Sequence, residues 1–157
     1  MTDLHIRPAS PADQDAIWAM LKPVFRAGDT YAVDPDISRD DALAYWYAAH
    51  PFITDGGTYY IRPNQKGGGD HVCNAGFVTA QDAIGKGVAR KMLADALTQA
   101  KSLGFEAMQF NFVLANNKRA VDIWLRAGFV EIGRIPHAFR HPRDGYVAAL
   151  ILHKFLD

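Results

Sequence analysis

Hydrophobic positions along the chain alternate between two spacings. Runs with a period of two predict strands over residues 4–7, 58–62, 71–79, 107–114, 130–135 and 146–154. Runs with helical spacing predict four helices that begin near residues 10, 38, 88 and 117. Ser10, Ser38 and either Asn116 or Asn117 are the expected N-terminal caps, and Gly104 and Gly128 follow the last two helices. This order of elements predicts one α/β or α+β domain over residues 1–157, built on a mixed sheet.

Composition and charge narrow the possible partners. The 157 residues suit one domain, and the 17 basic and 17 acidic residues give a net charge of zero. We therefore expect neither a nucleic-acid partner nor binding to an anionic membrane surface. The apolar runs are too short to span a bilayer, and the start of the chain has no apolar core typical of a secretory signal. Cys73 has no partner for a disulfide, so a cytoplasmic location is expected.

The same inventory gives no sign of a metal. The six histidines lack metal-ligand spacing, and Cys73 has no second cysteine beside it. No serine lies in the Gly-x-Ser-x-Gly turn of a hydrolase. We therefore expect a protein that works without a bound metal.

A glycine turn between a predicted strand and a predicted helix is the first candidate site. Gly85 and Gly87 precede the helix that begins at Val88. Glycines leave backbone N–H groups uncovered, and a helix N-terminus adds further N–H groups, so such a junction suits a phosphate. The triphosphate-loop pattern is absent because Gly87, and not Ser or Thr, follows Gly85-Lys86, and Arg90 replaces the third glycine of a dinucleotide turn. A pyrophosphate held by the backbone remains, with a tight turn that binds nothing as the alternative.

A second motif lies about thirty residues further on. Asn117-x-x-Ala120, running to Gly128-Phe129, follows the glycine turn in the order and spacing of the GNAT family, which the chain resembles from about residue 58 onward. GNAT proteins are acetyl-CoA-dependent N-acetyltransferases. Residues 58–64 and 138–147 are similar to a microbial subgroup of that family. The resemblance implies a mixed sheet of six to seven strands flanked by about four helices, with a shortened or missing second strand between residues 50 and 58.

The resemblance also implies how acetyl-CoA is held. It assigns cofactor contacts to Phe77, Val78, Thr79, Ile84, Gly85, Lys86, Gly87, Val88, Ala89, Arg90, Asn117 and Trp124. The backbone of the glycine turn would take the pyrophosphate, although Ile84 replaces the usual Arg or Gln. The strand before the turn would pair with the pantetheine arm, and the Val78 N–H would face the thioester oxygen.

Two positions in the second motif need separate treatment. Trp124 stands where family members commonly carry a tyrosine that protonates the leaving thiolate. An indole N–H donates a hydrogen bond but is not a usable acid. Trp124 is therefore expected to be a channel wall or a core residue. Asn117 is a candidate donor to the cofactor or to an ordered water, and equally a simple helix cap.

The acceptor side is less defined. No base stands out among Asp29, Asp36, His71, His137 and His141, so direct attack by the neutral amine is expected. Substrate contacts are expected from Tyr31, Asn74, Asn111 and Arg140, with Arg140 holding a carboxylate of the acceptor.

The sequence thus predicts an enzyme that acetylates a primary or secondary amine of a small molecule, either amino-acid-like or xenobiotic. Two alternatives stay open. One is acetylation of a protein or peptide N-terminus, and the other is a non-catalytic module that binds acyl-CoA. A homodimer is expected from the resemblance alone.

Overall fold

A seven-stranded mixed sheet organises the chain. In a computed structural model that describes residues 3–157, the strand order is β1-β2-β3-β4-β5-β7-β6, and only β4 and β5 run parallel. The strands are β1 (Arg7–Pro8), β2 (His50–Thr54), β3 (Gly57–Pro63), β4 (Val72–Thr79), β5 (Ala107–Leu114), β6 (Val130–His141) and β7 (Gly145–Phe155). The helices are α1 (Gln14–Ala27), α2 (Arg39–Trp46), α3 (Val88–Ser102) and α4 (Lys118–Arg126).

The helices cover both faces of the sheet. On one face, buried α3 side chains such as Met92 pack on Tyr59 and Ile61 of β3, with the apolar side of α4 beside them. On the other face, α1 and α2 bury their apolar side chains against Tyr60. Successive side chains of a strand point to opposite faces, so neighbouring residues of β3 belong to different cores.

Many predicted boundaries are confirmed. β5 has the predicted bounds, and α3 ends just before Leu103 and Gly104 as expected. Ser38 caps α2, since its Oγ accepts a hydrogen bond from the Asp41 N–H at 3.1 Å. Asn117, and not Asn116, caps α4.

Other boundaries differ from the prediction. β1 has only two residues, because its pairing with β2 is limited to Arg7 and Pro8. α1 continues beyond Pro23 to Ala27, and its last turn is anchored by the buried Phe25. β6 extends to His141 instead of ending near residue 135, so residues 137–141 lie on a strand and not in a loop.

The second strand is present but short. β2 has five residues and pairs along its whole length with β3. Its Phe52 and Ile53 are buried, which explains why so short a segment stays in the sheet. A tight turn through Gly56, at φ 78°, joins it to β3.

The edge of the sheet is fastened by an ion pair. The Arg7 guanidinium donates to both carboxylate oxygens of Asp13, at 2.7 and 2.8 Å, and the Ser10 N–H donates at 2.8 Å. Hydrogen bonds from Arg7 and Ser10 hold the pKa of Asp13 well below its ordinary value. The Asp13 carboxylate therefore stabilises the fold above about pH 4, and this contribution is lost as the pH falls through the native pKa.

We expect Asp13→Asn to lower the melting temperature at neutral pH, and the gap to the wild type to close as the pH falls below about 4. Asp15→Asn is the matched control, because the Asp15 side chain is 95% exposed in its pair with Arg39 and such pairs contribute little. Melting curves between pH 2 and 8 measure both variants. A constant gap over this range would contradict the assignment.

Candidate active site

A gap through the sheet lies between β4 and β5. The two strands pair only at Val72 with Ala107 and at Cys73 with Met108, although they continue to Thr79 and Leu114. Beyond this point the strands diverge and leave their facing backbone groups without a ladder partner. The sheet is therefore open where β4 leads into the glycine turn.

Hydrogen bonds at both ends of β4 fix which backbone groups face this gap. The Ala80 N–H donates to the Gly56 carbonyl at 2.8 Å, and the Asn64 N–H donates to the Val72 carbonyl at 2.8 Å. Backbone groups of successive strand residues point in opposite directions. The even-numbered residues of β4 thus turn their backbone toward β3, and the odd-numbered residues turn theirs into the gap.

This alternation corrects the role expected for Val78. Val78 lies opposite Thr58, and its N–H is directed to β3 and away from the gap. The N–H groups of Phe77 and Thr79 face the gap instead. The Tyr31 hydroxyl confirms the direction, because it enters the gap and donates to the Phe77 carbonyl at 2.8 Å.

One cavity lies beside the glycine turn. It has a volume of about 450 Å³ and runs from the gap to the start of α3. Most of the residues expected to contact the cofactor line it, namely Phe77, Thr79, Ile84, Gly85, Gly87, Val88, Ala89, Arg90, Asn117 and Trp124. Of the others, Val78 packs on the α1 and α2 face of the sheet and lines the cavity on that face, and Lys86 is exposed with its N–H donated to the Ala83 carbonyl.

The glycines of this turn make room for a ligand. Gly85 and Gly87 have φ values of 85° and 81°, and a Cβ on either would meet no atom within 4 Å. The N–H groups of Val88, Ala89 and Arg90 belong to the first turn of α3 and have no partner within the helix. Open space beside free N–H groups fits a phosphate.

A second cavity lies on the opposite face of the sheet. Its volume is about 620 Å³, and three of the predicted substrate contacts, Tyr31, Asn74 and Asn111, line it. The two cavities meet at the gap, where they share Phe77, Thr79, Ile84, Asn117, Ala120 and Trp124. A ligand in one cavity can therefore touch a ligand in the other.

Arg140 does not belong to this site. It is an exposed residue of β6, and its guanidinium lies 5.7 Å from the centre of the Tyr146 ring. It lines neither of the two cavities. The expected loop is a strand here, because residues 139–141 are held in the sheet by pairing with β7.

The histidines near Arg140 have structural surroundings. The His137 ring stacks on Tyr146 at 5.8 Å. His141 is buried, and its Nδ1 accepts hydrogen bonds from the N–H groups of Arg143 and Asp144. Asp36 and His71 line neither cavity, whereas Asp29 lines the second one.

A chain of hydrogen bonds crosses the floor of the second cavity. The Asn74 Nδ2 donates to the Gln109 carbonyl at 3.0 Å, so the Asn74 Oδ1 must accept from the Tyr60 hydroxyl at 3.2 Å. With its proton committed there, Tyr60 can only accept from the Tyr45 hydroxyl at 3.0 Å. The chain therefore has one direction, and the free lone pairs of Tyr45 are at its open end.

Sequence reasoning did not select Tyr60 for this site. Burial raises the pKa of Tyr60 and of Tyr31 far above the ordinary value, so both hydroxyls stay protonated and act as donors. The signal was the alternation along β3, which places Tyr60 on the α1 and α2 face while Tyr59 packs under α3.

Two residues of the second motif stand where the cavities meet. The Trp124 ring packs on Phe77 and Phe110, with centroid distances of 5.3 and 4.9 Å, and lines both cavities. The Asn117 Oδ1 accepts the capping bond from the Ala120 N–H at 3.3 Å. Because Asn117 also lines both cavities, capping leaves its Nδ2 available for a ligand.

Cys73 is a core residue, and burial raises its pKa to about 12, so its thiol stays neutral. Within residues 3–157, no group of three or more His, Cys, Asp or Glu side chains is arranged to hold a metal ion. Within the same residues, no helix has the length and apolar character needed to cross a membrane.

Comparison with known proteins identifies the family. The model of the acetyltransferase (GNAT) family matches residues 16–129. The chain therefore belongs to the GNAT acetyltransferase family. A GCN5-related N-acetyltransferase from Kribbella flavida is similar over 98% of both chains, with 36% identity and a TM-score of 0.92.

Two further relatives match less completely. The N-acetyltransferase aca1 of Schizosaccharomyces pombe is 36% identical over 96 residues, which are 60% of this chain and 46% of that protein. The chain thus spans about half the length of this curated relative. A putative acetyltransferase, yncA from Salmonella typhimurium, solved with its cofactor acetyl-CoA, shares the fold with a TM-score of 0.85 at 18% identity, over 99% of this chain and 95% of that one.

Proposed function

We propose that the chain is a single-domain N-acetyltransferase that moves the acetyl group of acetyl-CoA to an amine of a small molecule. The observation that carries this proposal is the meeting of two cavities at the gap between β4 and β5. One cavity has a glycine turn whose open space and first-turn N–H groups suit a phosphate, and the other has polar groups that suit an acceptor. Family membership supports acetyl-CoA as the donor.

Three groups of residues would hold acetyl-CoA. The first-turn N–H groups of α3 at Val88 and Ala89 bind the pyrophosphate, and the Arg90 guanidinium adds a positive charge. The gap-facing backbone of Phe77 and Thr79 pairs with the pantetheine arm. One of these two N–H groups, in place of Val78, polarises the thioester carbonyl.

Acetyl-CoA, when bound, supplies the acetyl group as a thioester. The amine nitrogen forms a bond to the carbonyl carbon, the C–S bond breaks, the nitrogen loses a proton and the thiolate gains one. Trp124 cannot supply the proton that the thiolate gains, so we assign the role of proton donor to water. The Tyr45–Tyr60–Asn74 chain ends at an amide and a carbonyl, so it orients an amine but cannot carry its proton away. The amine therefore attacks in its neutral form, and the protein contributes positioning and polarisation.

A non-catalytic acyl-CoA-binding module is the second candidate function. The indole at position 124 and the weak case for a dedicated base favour it. Such a module would bind acyl-CoA in the cavity beside the glycine turn, called the cofactor cavity from here on, as the enzyme would, but it would not transfer the acetyl group.

Melting temperature with and without acetyl-CoA tests the donor site. At about 100 times its dissociation constant the cofactor adds roughly 2.7 kcal/mol, which should raise the melting temperature by about 5–10 °C. Release of free thiol with a panel of amines then tests catalysis. Absence of a thermal shift at saturating acetyl-CoA would contradict both candidates, and a shift without turnover of any amine or peptide would favour the module.

A further inference from the structure

We propose that the acceptor is an amine that carries a second positive charge and no carboxylate, of which a diamine is the simplest form. Asp29 is the residue that selects it. This inference rests on the proposed function and names the substrate class of the same site.

The first support is the charge of the second cavity, the 620 Å³ cavity that would hold the acceptor and is called the acceptor cavity from here on. Asp29 is the only charged side chain among the described residues that line it. Neither Arg140 nor Arg62 lines it, and the Arg62 guanidinium is stacked 4.0 Å from the Tyr60 ring centre and 4.5 Å from that of Tyr45. An acceptor with a carboxylate would thus enter a cavity whose lining offers it a negative charge and no cation.

Hydrogen-bond direction is the second support. The Tyr31 hydroxyl donates its proton to the Phe77 carbonyl, and the Tyr45 hydroxyl donates its proton to Tyr60. Both oxygens have only lone pairs left for a ligand. Their partner in the cavity must therefore be an N–H or O–H donor.

Thr30 adds an independent observation. It lines the same cavity next to Asp29, and its Oγ1 is buried with no hydrogen-bond partner among the described residues. Buried polar atoms without a partner are uncommon in folded proteins. The Thr30 hydroxyl can accept a hydrogen bond from an ammonium group and can equally donate one to a carboxylate, so it favours a polar ligand at this corner without selecting its charge.

The surroundings of Asp29 leave one of its carboxylate oxygens available to bind a cation. Its Oδ2 lies 3.3 Å from Nη2 of Arg143, whose side chain is 70% exposed, whereas the Asp29 side chain is 26% exposed. The Asp29 Oδ1 has no hydrogen bond within the described part of the chain. One carboxylate oxygen is therefore available to a cation in the cavity, and the exposed Arg143 is a weak competitor.

Three amines with four carbon atoms each test the inference: 1,4-diaminobutane, n-butylamine and 4-aminobutyrate, each at saturating acetyl-CoA. We expect kcat/KM to be highest for the diamine and lowest for the amino acid. Asp29→Asn should raise KM for the diamine about tenfold, since a hydrogen bond to a charged group is lost, and should leave butylamine nearly unchanged. Raising the salt concentration should raise KM for the diamine with the wild type but not with Asp29→Asn.

Arg143→Gln is the matched control. If Asp29 binds the acceptor, removing its competitor keeps or lowers KM for the diamine. Equal losses in both variants would assign the pair a structural role and overturn the inference, as would a preference for the amino acid. Calorimetry with acetyl-CoA distinguishes a failure of this inference from a failure of the proposed function. Cofactor binding without turnover of the diamine overturns this inference alone, and absence of cofactor binding overturns the proposed function with it.

Discussion

Replacing Gly87 with valine should reduce the affinity for acetyl-CoA at least about 100-fold while the domain stays folded. Gly87 has a φ of 81° and directly precedes α3. A β-branched residue is strongly disfavoured at positive φ, so the turn must change its conformation and redirect the N–H groups that follow. A Cβ would also project into open space at the cavity wall. Loss of about 3 kcal/mol of phosphate binding corresponds to roughly 100-fold in affinity, which calorimetry measures directly.

Gly104→Val provides the control at the other end of the same helix. Gly104 has a φ of 93°, and its Cβ position is equally empty, but it lines neither of the two cavities. Both substitutions introduce similar backbone strain, so both should lower the melting temperature by a similar amount. Only Gly87→Val should lose acetyl-CoA. Unchanged affinity in Gly87→Val would show that the phosphate group binds elsewhere.

Elements with strong local signals could be predicted from the sequence. β5 and α3 have clear periods and are bounded by glycine or by a cap, so their limits follow from nearby residues. The glycine turn belongs to the same class, because strand, turn and helix N-terminus are contiguous. This is why most of the predicted cofactor residues line one cavity.

Features that depend on register could not be predicted in this way. The resemblance assigns the thioester contact to Val78, but the Val78 N–H is directed to β3, and the N–H groups of Phe77 and Thr79 face the gap. The direction of each backbone N–H on β4 is set by pairing with β3, and a shift of one residue reverses it. Arg140 lines neither cavity for a related reason, since pairing of β6 with β7 resumes after a register shift between Ile135 and Phe139.

The acceptor cavity depends on contacts between residues distant in sequence. Tyr45 comes from α2, Tyr60 from β3 and Asn74 from β4, and none of them has a sequence motif around it. Their chain of hydrogen bonds forms only when α2 packs on the sheet. Sequence periodicity places each residue on a face but not beside its partner.

Gly76→Ala should lower the stability by about 2–4 kcal/mol and weaken acceptor binding at the same time. A Cβ at Gly76 would lie 2.4 Å from Cε2 of Tyr60 and 2.8 Å from its hydroxyl oxygen. The Tyr60 ring cannot yield easily, because it packs on Trp46 at 4.8 Å and its hydroxyl is bonded to Tyr45 and Asn74. Displacing the ring breaks the hydrogen-bond chain that presents Tyr45 to the acceptor. We expect the melting temperature to fall by roughly 5–15 °C and KM for the amine to rise.

Gly133→Ala is the matched strand control. Gly133 also lies in a strand without positive φ, but its nearest contact would be the flexible end of Ile151 at 3.3 Å. This variant should change the melting temperature little and leave the binding of the amine and of acetyl-CoA unaffected.

For Gly76→Ala, acetyl-CoA affinity is the decisive third readout, because Gly76 lines the acceptor cavity and not the cofactor cavity. A stability loss with unchanged KM for the amine would mean that the Tyr60 chain supports the fold without orienting the acceptor. Equal losses of amine and acetyl-CoA binding would mean that the gap itself has closed, since the two cavities share Phe77 and Thr79, which follow Gly76 on β4.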